Sequence, residues 1–284
     1  MKKLCVILGT AALLAACGEE PVRTAADIGS GWEDLDGSIV NYEYPDFSGF
    51  YLHFRNGALQ WKGFAGLFKG VVAEVDLVAS KVNDRVYFMS WPTPNGGGDN
   101  VIMNFDTMKV HAHLGPGDGF RLFSGTIYCR DTPDCNAPEG EPMGIVNTMR
   151  LLAGNARELG YSSPMDANEA IMEKRDGRFQ EPDMQGMAEL TGKSFAYQTP
   201  EGLVRVSIAG EETSVSVAGA EPVISPTYAT AIGNGIYYVS WHGEYGGNHV
   251  VLDSGTMKVY DQIMPDGTRK EAVFDAICFA SEGC

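Results

Sequence analysis

The apolar positions of this chain fall in short runs, most of them alternating apolar and polar residues. From about Trp32 to Cys135 the runs are SIVNYEY, GFYLHFRNG, ALQWKGF, VVAEVDLVASKV, DRVYFMSW, NVIMNFD, KVHAHL and GFRLFSGTIYC, each bounded by Gly, Pro, Asn or Asp. A period of two marks a half-buried strand, and regular spacing with turn residues between marks an antiparallel all-β barrel or sandwich. Asn56-Gly57 predicts a tight hairpin. The period lengthens over residues 136–186, where NTMRLLAGNARELG and SPMDANEAIMEKRDG predict two helices, the second with Ser163 as cap and Pro164 in its first turn. From about Glu189 the two-residue period returns in LTGKSFAYQTPEG, LVRVSIAG, ETSVSVAG, PTYATAIG, GIYYVSW, HVVLDSG, TMKVYDQIM and EAVFDAICF.

The strand pattern is written twice. VYFMSW at 86–91 returns as IYYVSW at 236–241, so Trp91 and Trp241 stand 150 positions apart. Met108 and Met257, Cys129 and Cys278, and Cys135 and Cys284 keep a spacing of 149. A period of this length is a duplicated domain rather than a solenoid unit. The expected organisation is a first barrel over 31–135, a helical linker over 136–186 and a second barrel over 187–284.

The chain begins MKKLCVILGTAALLAACGEEP, with a positive start, a short apolar stretch from Leu4 to Leu14 and small residues before Cys17. That is an export signal over 1–16, too short to span a bilayer. Leu14-Ala15-Ala16-Cys17 resembles the lipobox of bacterial lipoproteins. The resemblance implies acylation of Cys17, a tether over 17–30 and residence at the outer membrane facing the periplasm. The formal net charge of −16 argues against nucleic acid as a partner, leaving the lipid as the expected membrane contact. Cys129/Cys135 and Cys278/Cys284 each enclose five residues at matching places in the repeats. In an oxidising compartment they read as two short disulfides; zinc is the rival reading, disfavoured by Pro133 inside the first loop.

Alternate residues of a strand share a face. Tyr87, Met89, Trp91 and Thr93 therefore lie on one side of the key strand, and Tyr42 and Tyr44 on one side of an earlier one. If both sets point inward they line an aromatic pocket; otherwise they form a filled core. His111 and His113 also share a face, as two metal ligands would, but no third ligand is placed near them and no metal or cofactor is expected. His242 and Glu244 after the second tryptophan are a weaker acid–base pair.

Tyr42-x-Tyr44, GALQWKGFAGLFKG and NDRVYFMSWPTPNGG followed by KVHAHL resemble the phenolic acid decarboxylases. Both repeats also resemble the calycin-type domains of the family named for molybdenum cofactor biosynthesis protein F. The resemblance covers about 37–128, and 189–278 more loosely. It implies two tandem lipocalin-like (calycin) antiparallel β-barrels joined by a short helical segment. The decarboxylases act without a cofactor on para-hydroxycinnamic acids, using a tyrosine pair, an arginine and a glutamate. Here the tyrosines are Tyr42 and Tyr44, the arginine position holds Lys62, and the glutamate position holds Thr93. Threonine does not titrate near neutral pH, so the acid–base group is missing. The expected function is therefore a lipoprotein whose first barrel binds a small aromatic or apolar compound, acidic if Lys62 faces it. Tyr42, Tyr44, Lys62, Tyr87, Met89, Trp91 and Thr93 are the expected contacts. The alternatives are a divergent decarboxylase acting through Tyr42, Tyr44 and Lys62, and an envelope scaffold with filled barrels.

Overall fold

A computed structural model describes residues 25–45, 47–93, 98–114, 120–175, 180–243, 246–263, 269–281 and 284. The signal over 1–16, Cys17 and Glu244 lie outside the described residues. Two short helices, α1 (Ala25–Ile28) and α2 (Trp32–Leu35), precede nine strands: β1 (Ile39–Tyr44), β2 (Ser48–Arg55), β3 (Ala58–Gly66), β4 (Val72–Asp76), β5 (Val78–Lys81), β6 (Val86–Pro92), β7 (Gly98–Asn104), β8 (Lys109–Leu114) and β9 (Arg121–Arg130). Then come α3 (Ile145–Glu158), α4 (Pro164–Arg175) and α5 (Glu181–Leu190). The second set of strands is β10 (Ser194–Thr199), β11 (Gly202–Ala209), β12 (Glu212–Val217), β13 (Val223–Pro226), β14 (Tyr228–Gly233), β15 (Ile236–Gly243), β16 (Gly246–Asp253), β17 (Lys258–Ile263) and β18 (Arg269–Ala280).

The two sheets have the same topology. The first runs β4-β3-β2-β1-β9-β8-β7-β6-β5 and the second β13-β12-β11-β10-β18-β17-β16-β15-β14. The pairing of first with last strand curls each antiparallel meander into a nearly closed barrel, with its seam between the fourth and fifth strands. Both barrels carry a β-bulge at the same place, between Asn41 and Tyr42 and between Ala196 and Tyr197, where extra twist helps a sheet close. Asn56 and Gly57 both take positive φ, 52° and 79°, as a two-residue hairpin requires. The cysteine pairs stand at disulfide distance, with Cα–Cα separations of 5.7 Å for Cys129/Cys135 and 6.0 Å for Cys278/Cys284.

Inward residues of β1–β9 form the core of barrel 1: Val40, Tyr42, Tyr44, Leu52, Phe54, Leu59, Trp61, Met89, Met103, Val110 and Phe123 among them. Ile28, in the stretch expected to be tether, is fully buried in that core, so the chain is already packed by this point. Among its described residues the helical segment holds three helices where two were expected. Ser163 accepts from the backbone N–H of Asp166, capping α4 as predicted. The unexpected α5 is entered by a capping box between Gln180 and Asp183. It packs on β14 through Gly186, where any Cβ would lie 2.6 Å from the Ala231 nitrogen. No described helix is long and apolar enough to cross a membrane.

Strands β6 to β8 are largely buried on both faces, the outer face packing against the second barrel. Val82, Val86, Phe88 and Ile102 pack against Ile232, Ile236, Tyr238, Val251 and Tyr260 of barrel 2. The contact is a pseudo-twofold one. Phe88 meets its own counterpart Tyr238 with ring centroids 5.7 Å apart. His113 of β8 bonds the Ser240 hydroxyl at 2.7 Å and that of Thr230 at 2.8 Å. Its counterpart Gln262 of β17 donates to the Ser80 hydroxyl at 2.8 Å and the Phe88 carbonyl at 2.7 Å. The duplicated halves thus meet as the two copies of an isologous dimer would.

Candidate functional site

Barrel 1 is hollow at one end. A cavity of about 210 Å³ is lined by Tyr42, Tyr44, Phe47, Phe50, Leu52, Trp61, Phe68, Trp91, Thr93, Gly98, Asp99, Val101, Ala112, Leu114, Asn168 and Met172. An engineered apolar cavity of roughly 150 Å³ holds a benzene molecule, so a one-ring guest fits here. The walls come from β1, β2, β3, β6, β7 and β8. The roof comes from the helical segment, where Asn168 and Met172 of α4 close over the opening.

Aromatic residues keep this space open because large flat rings touching edge to face do not fill a cylinder. Tyr42 and Tyr44 meet at 5.3 Å and 77°, Phe50 and Trp61 at 5.8 Å and 79°, and Tyr44 and Phe123 at 5.8 Å and 67°. Gly125 on β9 makes room for Tyr44: a Cβ there would stand 2.9 Å from the tyrosine ring and 2.5 Å from the Glu43 carbonyl. Phe68 is set by α3, whose Asn155 side chain donates to the Leu67 carbonyl at 2.8 Å and the Lys69 carbonyl at 2.7 Å.

The structure brings together Tyr42, Tyr44, Trp91 and Thr93 and separates the rest of the expected set. Met89 lies fully buried in the core below the cavity. Tyr87 shares its face but sits four residues further along, some 13 Å at the rise of a strand. There its hydroxyl donates to Asp34 at 3.0 Å and to the Asp84 carbonyl at 3.3 Å. Lys62 is not among the lining residues. It follows Trp61, which points inward, so strand alternation turns Lys62 to the outer face, opposite Tyr51 in register. The ammonium expected at the cavity edge is therefore outside it. His111 and His113 do not share a ligand site: His111 bonds Ser124 at 2.8 Å, while His113 is committed to the barrel–barrel contact.

Asp99 is the residue that the sequence reading passed over. It opens β7 directly opposite Trp91 in the β6–β7 register. Burial raises its pKa to about 6, partly offset by a hydrogen bond from the Trp91 side chain and by the field of Arg269. Burial also pushes the phenols of Tyr42 and Tyr44 well above their usual range, reinforced by the charge of Asp99. The Tyr44 hydroxyl and the Trp61 indole nitrogen are buried without a partner among the described residues. Such groups cost about 1–3 kcal/mol unless something else meets them.

No family model and no curated protein matches this chain. Among solved structures, a beta-lactamase candidate from Burkholderia vietnamiensis is 14% identical over 33% of this chain and 92% of its own, with a TM-score of 0.30. The octameric penicillin-binding protein homologue from Pyrococcus abyssi is 9% identical over 78% of this chain and 37% of its own, with a TM-score of 0.20. Likenesses at this level carry no argument about what the chain does.

Proposed function

We propose that barrel 1 is a binding module for a small compound built on one aromatic or apolar ring. The observation that carries this reading is the 210 Å³ space bounded by Tyr42, Tyr44, Trp61 and Trp91. A scaffold with filled barrels has no use for it. The decarboxylase reading needs a cation for the substrate carboxylate, and the lining offers none once Lys62 stands outside. The calycin-type likeness of both repeats agrees with a binding role, since hollow barrels of this kind enclose small ligands.

The proposal includes a lipid on Cys17 that holds the barrels at the outer membrane, facing the periplasm. Metabolic labelling with a radioactive fatty acid tests that part, and Cys17→Ser should release the protein from the membrane fraction. The binding reading is tested with neutral one-ring probes, phenol and indole, followed by the fluorescence of Trp61 and Trp91. Saturable binding is expected. Ala112→Leu, which fills part of the cavity, should weaken it by about tenfold or more. Absence of saturable binding to any ring-sized probe would return the barrel to the scaffold reading.

A further inference from the structure

We propose that the barrel 1 cavity selects a protonated amine carried on a single aromatic ring, with Asp99 as its counter-ion. This rests on the reading of barrel 1 as a binding module and names the class of ligand. Asp99 is the only charged side chain among the described residues that line the cavity. A ligand carboxylate would meet repulsion there and no lysine, arginine or histidine among the lining residues, Arg269 lying against Gly98 rather than in the lining. A ligand ammonium would meet a half-buried carboxylate.

Three features make that carboxylate an acceptor in need of a donor. A carboxylate offers about four acceptor sites, and the Trp91 side chain, opposite it in register, is the donor that holds its pKa down. Arg269 from barrel 2, whose guanidinium packs against Gly98, acts on it through its field, and no ion pair between the two is found among the described residues. The surrounding faces of Tyr42, Tyr44, Trp61 and Trp91 add the negative ring potential that attracts cations, most strongly at tryptophan. The Trp61 N–H has no acceptor among the described residues. An indole N–H only donates, so it calls for an acceptor elsewhere on the ligand, as a ring hydroxyl supplies.

The duplicate shows that the charge is not required by the sheet. In barrel 2 the tryptophan is retained as Trp241, and the residue opposite it in the same register is Asn248. The strand accepts an uncharged side chain of the same shape at this point, so the acid is particular to the barrel with the cavity. Asp99→Asn reproduces the second barrel's residue in the first.

The full chain is titrated by tryptophan fluorescence and calorimetry with tyramine, with its neutral analogue 4-hydroxyphenethyl alcohol, and with 4-hydroxyphenylacetate. Tyramine is expected to bind about tenfold or more tighter than the alcohol, the effect of one hydrogen bond to a charged group. The acid is expected to bind weakest. Asp99→Asn should erase the preference for the amine while leaving the alcohol's affinity within about threefold. The unmodified protein gives an independent check: tyramine binding should weaken as pH falls through about 6, where Asp99 takes up a proton. The other groups in its field are Arg269 and the phenols of Tyr42, Tyr44 and Tyr238, and burial holds all three phenols protonated through that range. Equal binding of amine and alcohol, or tightest binding of the acid, overturns the amine assignment and leaves the hollow barrel intact. Failure of all three together with phenol and indole overturns the binding reading itself.

Discussion

The two barrels share topology, bulge and cysteine loop, yet use their interiors differently. Register alignment pairs Tyr42 with Tyr197, Tyr44 with Thr199, Phe50 with Val204, Trp61 with Val215 and Gly125 with Phe274. Barrel 1 places its bulk on β1 to β3 and leaves β9 bare at Gly125. Barrel 2 places small residues there and fills the middle from β18, where Phe274 meets Tyr197 with centroids 5.5 Å apart. Tyr197, Val206, Val215, Val239, Trp241 and Leu252 then belong to one apolar cluster. A duplicated scaffold thus has two packings, and moving one ring between strands separates a lined cavity from a core.

The comparison breaks most strongly at the contact between the barrels, where the halves differ in what titrates. His113 and His249 share the Ser240 hydroxyl, at 2.7 and 2.8 Å. Burial lowers the pKa of His249 to about 3 and that of His113 well below 6.5, with neighbouring histidines adding to both. Their folded-state values lie below the unfolded one, so the unfolded chain binds protons first. Their neutral form therefore contributes full stability above about pH 6.5, and that contribution is lost as pH falls toward 3. Each histidine should cost about 1.4 kcal/mol per pH unit in that window. Urea denaturation from pH 7 to 4.5 should show a loss of about 3 kcal/mol from His249 alone, with His113 adding to it. Gln262 and Asn100 hold the equivalent places in the other half, so His113→Gln with His249→Asn should make the acid limb shallower, leaving the part that His111 contributes, since burial lowers its pKa to about 4. A limb that keeps its slope in that double variant would place the acid sensitivity elsewhere.

A smaller effect is expected from exchanging the interiors. Phe274→Gly should cost about 3 kcal/mol, the low end for losing a phenylalanine, because Phe274 is only partly buried. It should also open a space beside Tyr197 that takes up benzene or xenon. Gly125→Phe should do the reverse: it drives a ring into the space of Tyr44 and abolishes probe binding in barrel 1. If Phe274→Gly costs little and admits no guest, the interior of barrel 2 is not organised around that ring.

Much of this was legible because antiparallel strands with one wet face write their pattern with period two. The matched spacings of tryptophan, methionine and cysteine then revealed the duplication. The same rule places Lys62 correctly: it neighbours Trp61, and adjacent strand residues cannot both point inward. The family template, not the alternation, put the lysine in the site. Tyr87 shows a different limit, since a shared face does not mean a shared depth along the barrel. Asp99 left its trace in GGGDN, where the hairpin register carries an acid back opposite Trp91. That becomes visible only when β6 is paired with β7. Helix α5 was hidden because its Pro182 and Gly186 weaken the helical signal, while Gly186 is what lets it lie against β14. The polar pairs between barrels could not be read at all, because they join residues more than 110 positions apart across a docking geometry that no local pattern encodes.

The finest difference between the halves lies at the far end of each barrel. The Tyr87 hydroxyl donates to Asp34 at 3.0 Å, and the Tyr237 hydroxyl donates to Glu189 at 2.7 Å. In both cases the carboxylate comes from the helix that leads into the repeat. In barrel 1 the aspartate is also paired with Lys81 at 2.7 Å, and that contact is the larger reason its pKa is lowered. In barrel 2 the tyrosine is the main reason that the pKa of Glu189 is lowered. Tyr237→Phe should therefore cost about 1 kcal/mol, a charged hydrogen bond discounted for solvent around the carboxylate. Tyr87→Phe should cost less, because Lys81 still holds Asp34. Carboxylate titration by NMR separates the two: the pKa of Glu189 should rise in Tyr237→Phe, while that of Asp34 should stay lowered in Tyr87→Phe. Both contributions are present above the carboxylates' unfolded values and are lost as pH falls through the lowered ones. Equal costs in the two variants would mean that Lys81 contributes nothing beyond the tyrosine, and that the two helix clasps are the same device despite the extra cation.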